Sequence, residues 1–175
     1  AMVAIEKNGP NREGQYCMVD GADNSECVIK AGRLFEEATR RGVLTIGIGD
    51  RGNEIGFGAI ADTPRKLLPY GESATDNTTV DFLVTACVSN WGAAGIAAAL
   101  ALVLGKPEAL HDATTESRML HECIRAGAVD GMSCRPIPRT DGMSEGAQVS
   151  IATLLNEIVD APALTRPALF TTPIE

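Results

Sequence analysis

The chain is poor in basic residues and lacks the paired cysteines that hold disulfide frameworks or structural zinc. Lys and Arg number 15 against 23 Asp and Glu, which gives a formal charge of −8 at pH 7. Nucleic acids and anionic membranes attract cationic surfaces, so this charge argues against both as partners. The five cysteines are odd in number and form no C-x-x-C motif, which indicates a reducing, intracellular setting. No signal peptide is visible, and we expect a cytoplasmic protein, or a mitochondrial matrix protein in a eukaryotic cell.

The sequence also lacks a recognisable catalytic triad. Its two histidines, His111 and His121, do not stand beside an acid and nucleophile pair. A triad needs a third group that orients the base, so we interpret both as ordinary, partly exposed histidines. No activated serine or cysteine is evident, which favours acid–base or metal-assisted chemistry over covalent catalysis.

One uncharged stretch, residues 82–104, is long enough to span a bilayer. Polar residues and glycines interrupt it, and Ser89 and Asn90 mark a natural break. We therefore predict a buried strand at residues 82–88. A helix at residues 91–104 follows, and because it is apolar on every side we predict that it is buried all round.

Apolar runs alternate with helically periodic stretches along the chain. Strands are predicted at residues 3–5, 43–48, 82–88 and briefly 128–129, and helices at residues 23–41, 91–104, 114–126 and 144–159. Asp23 and Glu26 form a capping box for the first helix, Ser144 caps the last one, and residues 62–81 are predicted to be a long loop with one short helix. The alternation predicts an α/β domain over residues 1–160, with a mostly parallel sheet and helices on both faces, as in a Rossmann-like three-layer sandwich. The prolines of residues 161–175 predict an extended tail.

The clearest functional pattern lies in residues 44–58, LTIGIGDRGNEIGFG. An apolar run typical of a buried strand leads into a glycine-rich loop that carries Asp50, Asn53 and Glu54. Glycine allows the backbone to approach a ligand closely. Carboxylates and an amide among so many glycines indicate a site, although a solvated turn would show the same composition.

The spacing Gly47-x-Gly49-x-x-Gly52 matches the dinucleotide-binding fingerprint. That fingerprint places a pyrophosphate at the start of a helix. Here Asp50 and Glu54 would lie beside the phosphates and repel them. The loop therefore favours a cation or a substrate amine over a nucleotide.

Polar side chains follow each predicted strand. In parallel sheets, ligands bind at the carboxyl ends of the strands, so we expect these side chains to meet at one edge. Oxygen ligands of this kind suit a divalent cation such as Mn²⁺ or Mg²⁺. The residues that follow the strands are Glu6, Asn8, Asp50, Asn53, Glu54, Ser89, Asn90 and Asp130.

Five motifs, AIEKNGPN, TIGIGDRGNEIGFG, VSNWG, AGAVDG and TDGMS, occur in this order along the chain. At these motifs the sequence resembles the D-glutamate cyclase family, from about residue 3 to about residue 158. Members of that family interconvert D-glutamate and 5-oxo-D-proline with loss or gain of water, and divalent metal dependence is associated with the activity. The resemblance therefore implies a metal-assisted hydro-lyase that acts on a small amino acid.

The resemblance carries over to individual residues and also shows two departures. Arg51 stands where the family usually has a small residue, often glycine, and Phe57 stands where methionine is common. Arg51 would either narrow the loop or contact a substrate carboxylate. The matching positions are Glu6, Asn8, Asp50, Asn53, Glu54, Asn90, Asp130 and Asp141.

We assign roles to these residues as hypotheses. Asp50 and Glu54 are the expected catalytic pair, as general base or as metal ligands, and Asp130 is a further expected metal ligand. Asn53 and Asn90 would orient substrate carboxylates through their amide donors. The remaining expected substrate contacts are Glu6, Asn8, Gly49, Gly52, Ser89 and Arg12, the last as a partner of the α-carboxylate.

Family domains usually carry more sequence before this first strand, which supplies further strands and part of the pocket. The resemblance therefore implies either a complementing N-terminal half or a homo-oligomer as partner, besides the small-molecule substrate. Two alternatives stay open. One is an inactive or truncated relative that binds an acidic amino acid, and the other is a phosphate- or nucleotide-binding α/β enzyme.

Overall fold

The computed structural model describes residues 1–161, so the predicted extended tail lies outside the described residues apart from Ala161. The described chain forms two compact units, one of residues 1–93 and one that begins at Ala94. Strands and helices alternate in sequence, which confirms the α/β class. In chain order the elements are β1 Met2–Ile5, α1 Gly32–Arg40, β2 Thr45–Gly49, a 3₁₀ turn Phe57–Ile60, α2 Asp62–Leu67, α3 Gly71–Ala74, β3 Phe82–Thr85, α4 Ser89–Leu104, a second 3₁₀ turn Pro107–Ala109, α5 Ala113–Arg125, β4 Arg139–Thr140, β5 Met143–Ser144 and α6 Glu145–Asp160.

The first unit is built on a parallel sheet of three strands in the order β1-β2-β3. Ile46 of β2 is in register with Val3 on one side and Phe82 on the other. Asp81 fixes the start of the sheet, because its carboxylate accepts the Thr45 N–H at 2.7 Å and the Thr45 hydroxyl at 2.9 Å. The carboxyl ends of the three strands therefore lie along the same edge, as predicted.

The loop after β2 packs back onto the sheet together with α1. Ala4, Phe35 and Ile55 share one buried cluster, so strand, helix and loop are held by the same apolar core. A Cβ on Gly47 would lie 2.1 Å from the carbonyl oxygen of Ile55. Only glycine can stand in the central strand at this point, and the close approach brings the loop directly over β2.

The first helix is shorter than predicted, because α1 begins at Gly32 and not at the capping box. The Asp23 carboxylate accepts the N–H of Ser25 at 2.9 Å and also its hydroxyl. The Asn24 N–H donates to the carbonyl of Tyr16 at 2.8 Å. Asp23 is thus used in a local turn that competes with the helix, and the prediction of a helix from residue 23 is wrong.

Two predictions for the middle of the chain also need correction. Residues 62–81 contain two short helices, α2 and α3, where a loop with one helix was expected. The prediction that α4 is buried on every side is wrong. Ala98 and Ala101 pack against Leu110 and Val159, but Val103 on another side of the helix is 77 % exposed. An all-apolar composition carries no information about which stripe of a helix is covered.

The second unit contains α5 and α6, and each begins with a side-chain cap. Asp112 accepts the Thr115 N–H at 2.7 Å, and Ser144 accepts the Ala147 N–H at 3.3 Å, which confirms the predicted cap of the last helix. The prediction of a brief strand at residues 128–129 is wrong. The Ala128 N–H still belongs to the end of α5, since it donates to Cys123. None of the helices within residues 1–161 has the length and apolar character needed to cross a membrane.

Candidate functional site

The loop after β2 is closed by one of its own side chains. The Glu54 carboxylate turns back and accepts the N–H groups of Gly52 at 2.8 Å and Arg51 at 3.2 Å. Glu54 is only 3 % exposed. The predicted catalytic acid is therefore buried against the backbone of its own loop.

Asp50 lies at the start of α4, the helix that follows β3. Its carboxylate accepts both the N–H and the hydroxyl of Ser89, the first residue of the helix, at 3.0 and 3.2 Å. A negative charge is favourable at the N-terminus of a helix because the N–H groups there have no partner within the helix. The structure thus brings together Asp50 and Glu54, which follow one predicted strand, and Ser89, which follows the next.

The negative charges of the Asp50 and Glu54 carboxylates repel each other. Burial raises the pKa of Glu54, and the nearby charge of Asp50 raises it further, to about 7, although backbone N–H groups offset part of the effect. A carboxyl group with this pKa is present in both protonation states at neutral pH. It can therefore accept a proton in one step and return it in the next, which is the requirement for general acid–base catalysis.

Glu6 adds a third acid at the end of β1. Its backbone has a φ of 48°, an uncommon value for a residue other than glycine, and this conformation turns the chain at the sheet edge. One carboxylate oxygen of Glu6 lies within 4.8 Å of one from Asp50. Two carboxylate oxygens this close are hard ligands that fit a divalent cation such as Mg²⁺ or Mn²⁺. The predicted metal ligands were Asp50, Glu54 and Asp130, and their ligand roles stay predictions.

The two predicted asparagines of the loops converge on one backbone carbonyl. The side-chain amides of Asn8 and Asn53 each donate to the Cys17 carbonyl at 3.0 Å. The Asn53 carbonyl in turn accepts the Gly9 N–H at 2.9 Å. Both asparagines hold the loops together in this state, and their contact with a substrate stays a prediction.

Gly49 and Gly52 serve the loop itself. A Cβ on Gly49 would lie 2.8 Å from the Cβ of Glu54 and 2.7 Å from the ring of Phe57. Gly52 has a φ of 93°, which glycine adopts without strain. These glycines make room for the loop's own side chains, while the close approach of a ligand that we predicted there is not tested.

Arg12 and Asn90 lie on the surface of the first unit. Arg12 forms an ion pair with Glu72 at 3.0 Å, and both side chains are well exposed. Asn90 is exposed on the first turn of α4. Their predicted contacts with substrate carboxylates stay predictions.

Asp130 belongs to the second unit, where it fixes a turn. Its carboxylate accepts the N–H groups of Ser133 and Gly142, both at 2.8 Å. Hydrogen bonds from Ser133 and Gly142 lower the pKa of Asp130. This pattern explains a structural role, and the expected role as a metal ligand stays a prediction.

Sequence reasoning missed one buried acid that packs against the loop after β2. Asp76 is completely buried, and its carboxylate accepts the N–H groups of Gly56 at 2.9 Å, Gly58 at 3.3 Å and Thr78 at 2.9 Å. Burial raises its pKa to about 6. In the sequence, Asp76 stands within a polar run that resembles an exposed loop. The only feature noticed in the sequence was the glycine-rich stretch whose N–H groups donate to it.

The amino-acid sequence matches a known protein family. Residues 1–156 match the family described as D-glutamate cyclase-like, C-terminal. Over 100 residues the chain is 34 % identical to the human protein named D-glutamate cyclase, mitochondrial, and the match covers 57 % of this chain and 16 % of the human protein. The matched residues thus span about a sixth of the length of that relative. From the match over residues 1–156, we conclude that the chain belongs to the D-glutamate cyclase-like family.

Proposed function

We propose that this chain carries the acid–base site of a D-glutamate cyclase-like hydro-lyase, which interconverts D-glutamate and 5-oxo-D-proline plus water. The family supports the reaction class, and the human relative is named for a D-glutamate cyclase. The observation that carries the proposal is the buried Glu54 carboxyl beside Asp50, with a pKa near neutrality.

The reaction needs a group that moves protons between two atoms of one substrate. In the forward direction the substrate ammonium loses a proton to the Glu54 carboxylate, and the free amine attacks the γ-carboxyl carbon. A C–N bond forms and a C–O bond breaks. The departing oxygen leaves as water after it has taken the proton from Glu54 and a second one from the nitrogen, so no net proton is consumed. Holding the substrate bent makes this attack effectively unimolecular.

Asp50 supports Glu54 in two ways. Without a bound cation, its charge adds to the effect of burial on the pKa of Glu54, and its hydrogen bonds with Ser89 hold the Asp50 carboxylate in place. Glu6 and Asp50 would hold a divalent cation, which when bound would supply positive charge to the carboxyl oxygens of the substrate. The metal and the identity of the substrate are part of the proposal.

The test is chiral mass-spectrometric detection of 5-oxoproline after incubation with D- or L-glutamate, with and without Mn²⁺, and in the reverse direction. We expect turnover of the D series only. Full turnover by both Glu54→Gln and Asp50→Asn would contradict the assignment of the site. Calorimetric binding of D-glutamate without turnover would instead support a non-catalytic relative that binds an acidic amino acid.

A further inference from the structure

The acidic character of the site raises a question about the substrate. Asp50 and Glu54 are buried side by side, and Glu6 reaches within 4.8 Å of Asp50. A substrate with two carboxylates would be repelled by such a cluster unless a cation binds it. The inference below rests on the proposed function, because it concerns how that function's dicarboxylate substrate is held.

Arg51 is a cationic residue of the loop after β2, between Asp50 and Gly52. Its side chain is 35 % exposed, so a ligand can reach it without a rearrangement of the core. Within residues 1–161, Asp50 is the only acid within ion-pair distance of its guanidinium, and the Nε–Oδ1 distance is 3.6 Å. This distance is too long for a direct hydrogen bond.

The guanidinium of Arg51 can therefore donate hydrogen bonds to a ligand. It carries five N–H groups in a planar fork that matches a carboxylate with two parallel hydrogen bonds. Arg12, the arginine that the sequence suggested for this purpose, is already paired with Glu72 at 3.0 Å. The two arginines therefore differ in what they offer a ligand, and Arg51 is the one next to the catalytic acids.

We infer that Arg51 binds the α-carboxylate of the substrate, the carboxylate that takes no part in the reaction. The γ-carboxyl group is the reacting group and loses an oxygen, whereas the α-carboxylate keeps its charge from D-glutamate through the transition state to 5-oxo-D-proline. An interaction with an unchanging group stabilises ground state and transition state equally. Its loss therefore raises KM and leaves kcat nearly unchanged.

The experiment compares Arg51→Gln and Arg51→Lys with the wild-type chain in both reaction directions. We expect Arg51→Gln to raise KM by about 10- to 100-fold for D-glutamate and for 5-oxo-D-proline alike, the loss expected for a charged hydrogen bond. Arg51→Lys should be intermediate, because it keeps the charge but not the fork. Arg40→Gln is the matched control, since Arg40 is an exposed arginine on α1 that pairs with Glu37.

Calorimetric affinities for both ligands make the result independent of turnover, and circular dichroism establishes that each variant is folded. An active wild type with an unchanged KM in Arg51→Gln, with a lower kcat alone, or with the KM effect in Arg12→Gln instead, overturns the inference and leaves the proposed function standing. Arg51-dependent binding of D-glutamate without turnover supports the inference and overturns the proposed function. A wild type that neither binds nor converts either ligand overturns both.

Discussion

The loop after β2 and the turn after α5 each contain a buried carboxylate, Glu54 and Asp130, and the pKa values of these two groups are shifted in opposite directions. Glu54 in the loop is 3 % exposed and Asp130 in the turn is 2 % exposed. Burial together with the charge of Asp50 raises the pKa of Glu54 to about 7. Hydrogen bonds from Ser133 and Gly142 lower the pKa of Asp130.

The difference lies in what surrounds each carboxylate. Asp130 accepts one N–H on each oxygen, and no acid is among the groups that shift its pKa. Glu54 also accepts N–H groups, but its burial raises the pKa more than these groups lower it, and the like charge of Asp50 raises it further. A buried acid that is well paired stabilises a turn, whereas one that is paired and also repelled is ready to exchange a proton. Exposure alone would not have separated the two.

The largest expected effect is on catalysis. Replacing Glu54 with Gln removes the proton carrier while keeping the shape of the side chain, so we expect turnover to fall by about 10²- to 10⁴-fold, the usual contribution of a general acid–base group. Chiral detection of 5-oxoproline measures it. Glu36→Gln, at an exposed position of α1, is the matched control, and a similar loss in that variant would contradict a specific role for Glu54.

The next effect is on the pH dependence of stability. Glu54 has a folded pKa of about 7 against 4.5 ordinarily, so the unfolded chain releases its proton first as the pH rises. The free energy of unfolding of wild type relative to Glu54→Gln should therefore fall by about 3 kcal/mol between pH 4.5 and pH 7. Urea titrations of both proteins at several pH values measure this difference. A difference that rises with pH would show that folding lowers the pKa of Glu54, and would contradict the raised value.

The pH dependence of stability that comes from Asp130 should have the opposite sign to the one from Glu54. Asp130→Ala leaves the N–H groups of Ser133 and Gly142 without their acceptor, at a cost of about 1–3 kcal/mol each if they stay buried. Because the pKa of Asp130 is lowered on folding, this stabilisation is present above its unfolded pKa and is lost as the pH falls through the folded value. The same denaturant titrations test it, and calorimetry with Mn²⁺ on the folded variant tests the predicted ligand role.

The smallest expected effect isolates the repulsion between the two acids. Asp50→Asn keeps an oxygen for the Ser89 N–H but removes the charge, so the pKa of Glu54 should move down toward its ordinary value. Titration of ¹³C-labelled glutamate carboxyl groups by NMR reports the pKa directly. If the Glu54 signal titrates as in wild type, burial alone accounts for its shift.

Local patterns in the sequence predicted which residues lie near one another at the end of β2. The strand that ends in Gly49 and the loop acids Asp50 and Glu54 lie within a few residues of one another, so their neighbourhood follows from chain connectivity. The meeting of Asp50 with Ser89 followed from the shared edge of a parallel sheet. These parts depend on strand periodicity, which the sequence shows directly.

Contacts between distant segments escaped prediction. Nothing near Asp76 indicates that its carboxylate will serve Gly56 and Gly58, because the partners lie about 20 residues away. The false capping box at Asp23 arose because Ser25 competes for the same carboxylate. At Asp130 the acid was noticed, but whether hydrogen bonds satisfy it depends on Gly142, which only the folded turn brings near.

The carbonyl of Cys17 receives the amides of both Asn8 and Asn53, and this arrangement sets a threshold for ligands. Cys17 is 2 % exposed, so water cannot replace either donor. A ligand that takes both asparagine amides as donors leaves the Cys17 carbonyl oxygen without its two hydrogen bonds, at a cost of about 1–3 kcal/mol. A substrate held by Asn8 and Asn53, as predicted, would have to replace both hydrogen bonds to this carbonyl, which favours ligands whose acceptors are stronger than a peptide carbonyl, such as carboxylates.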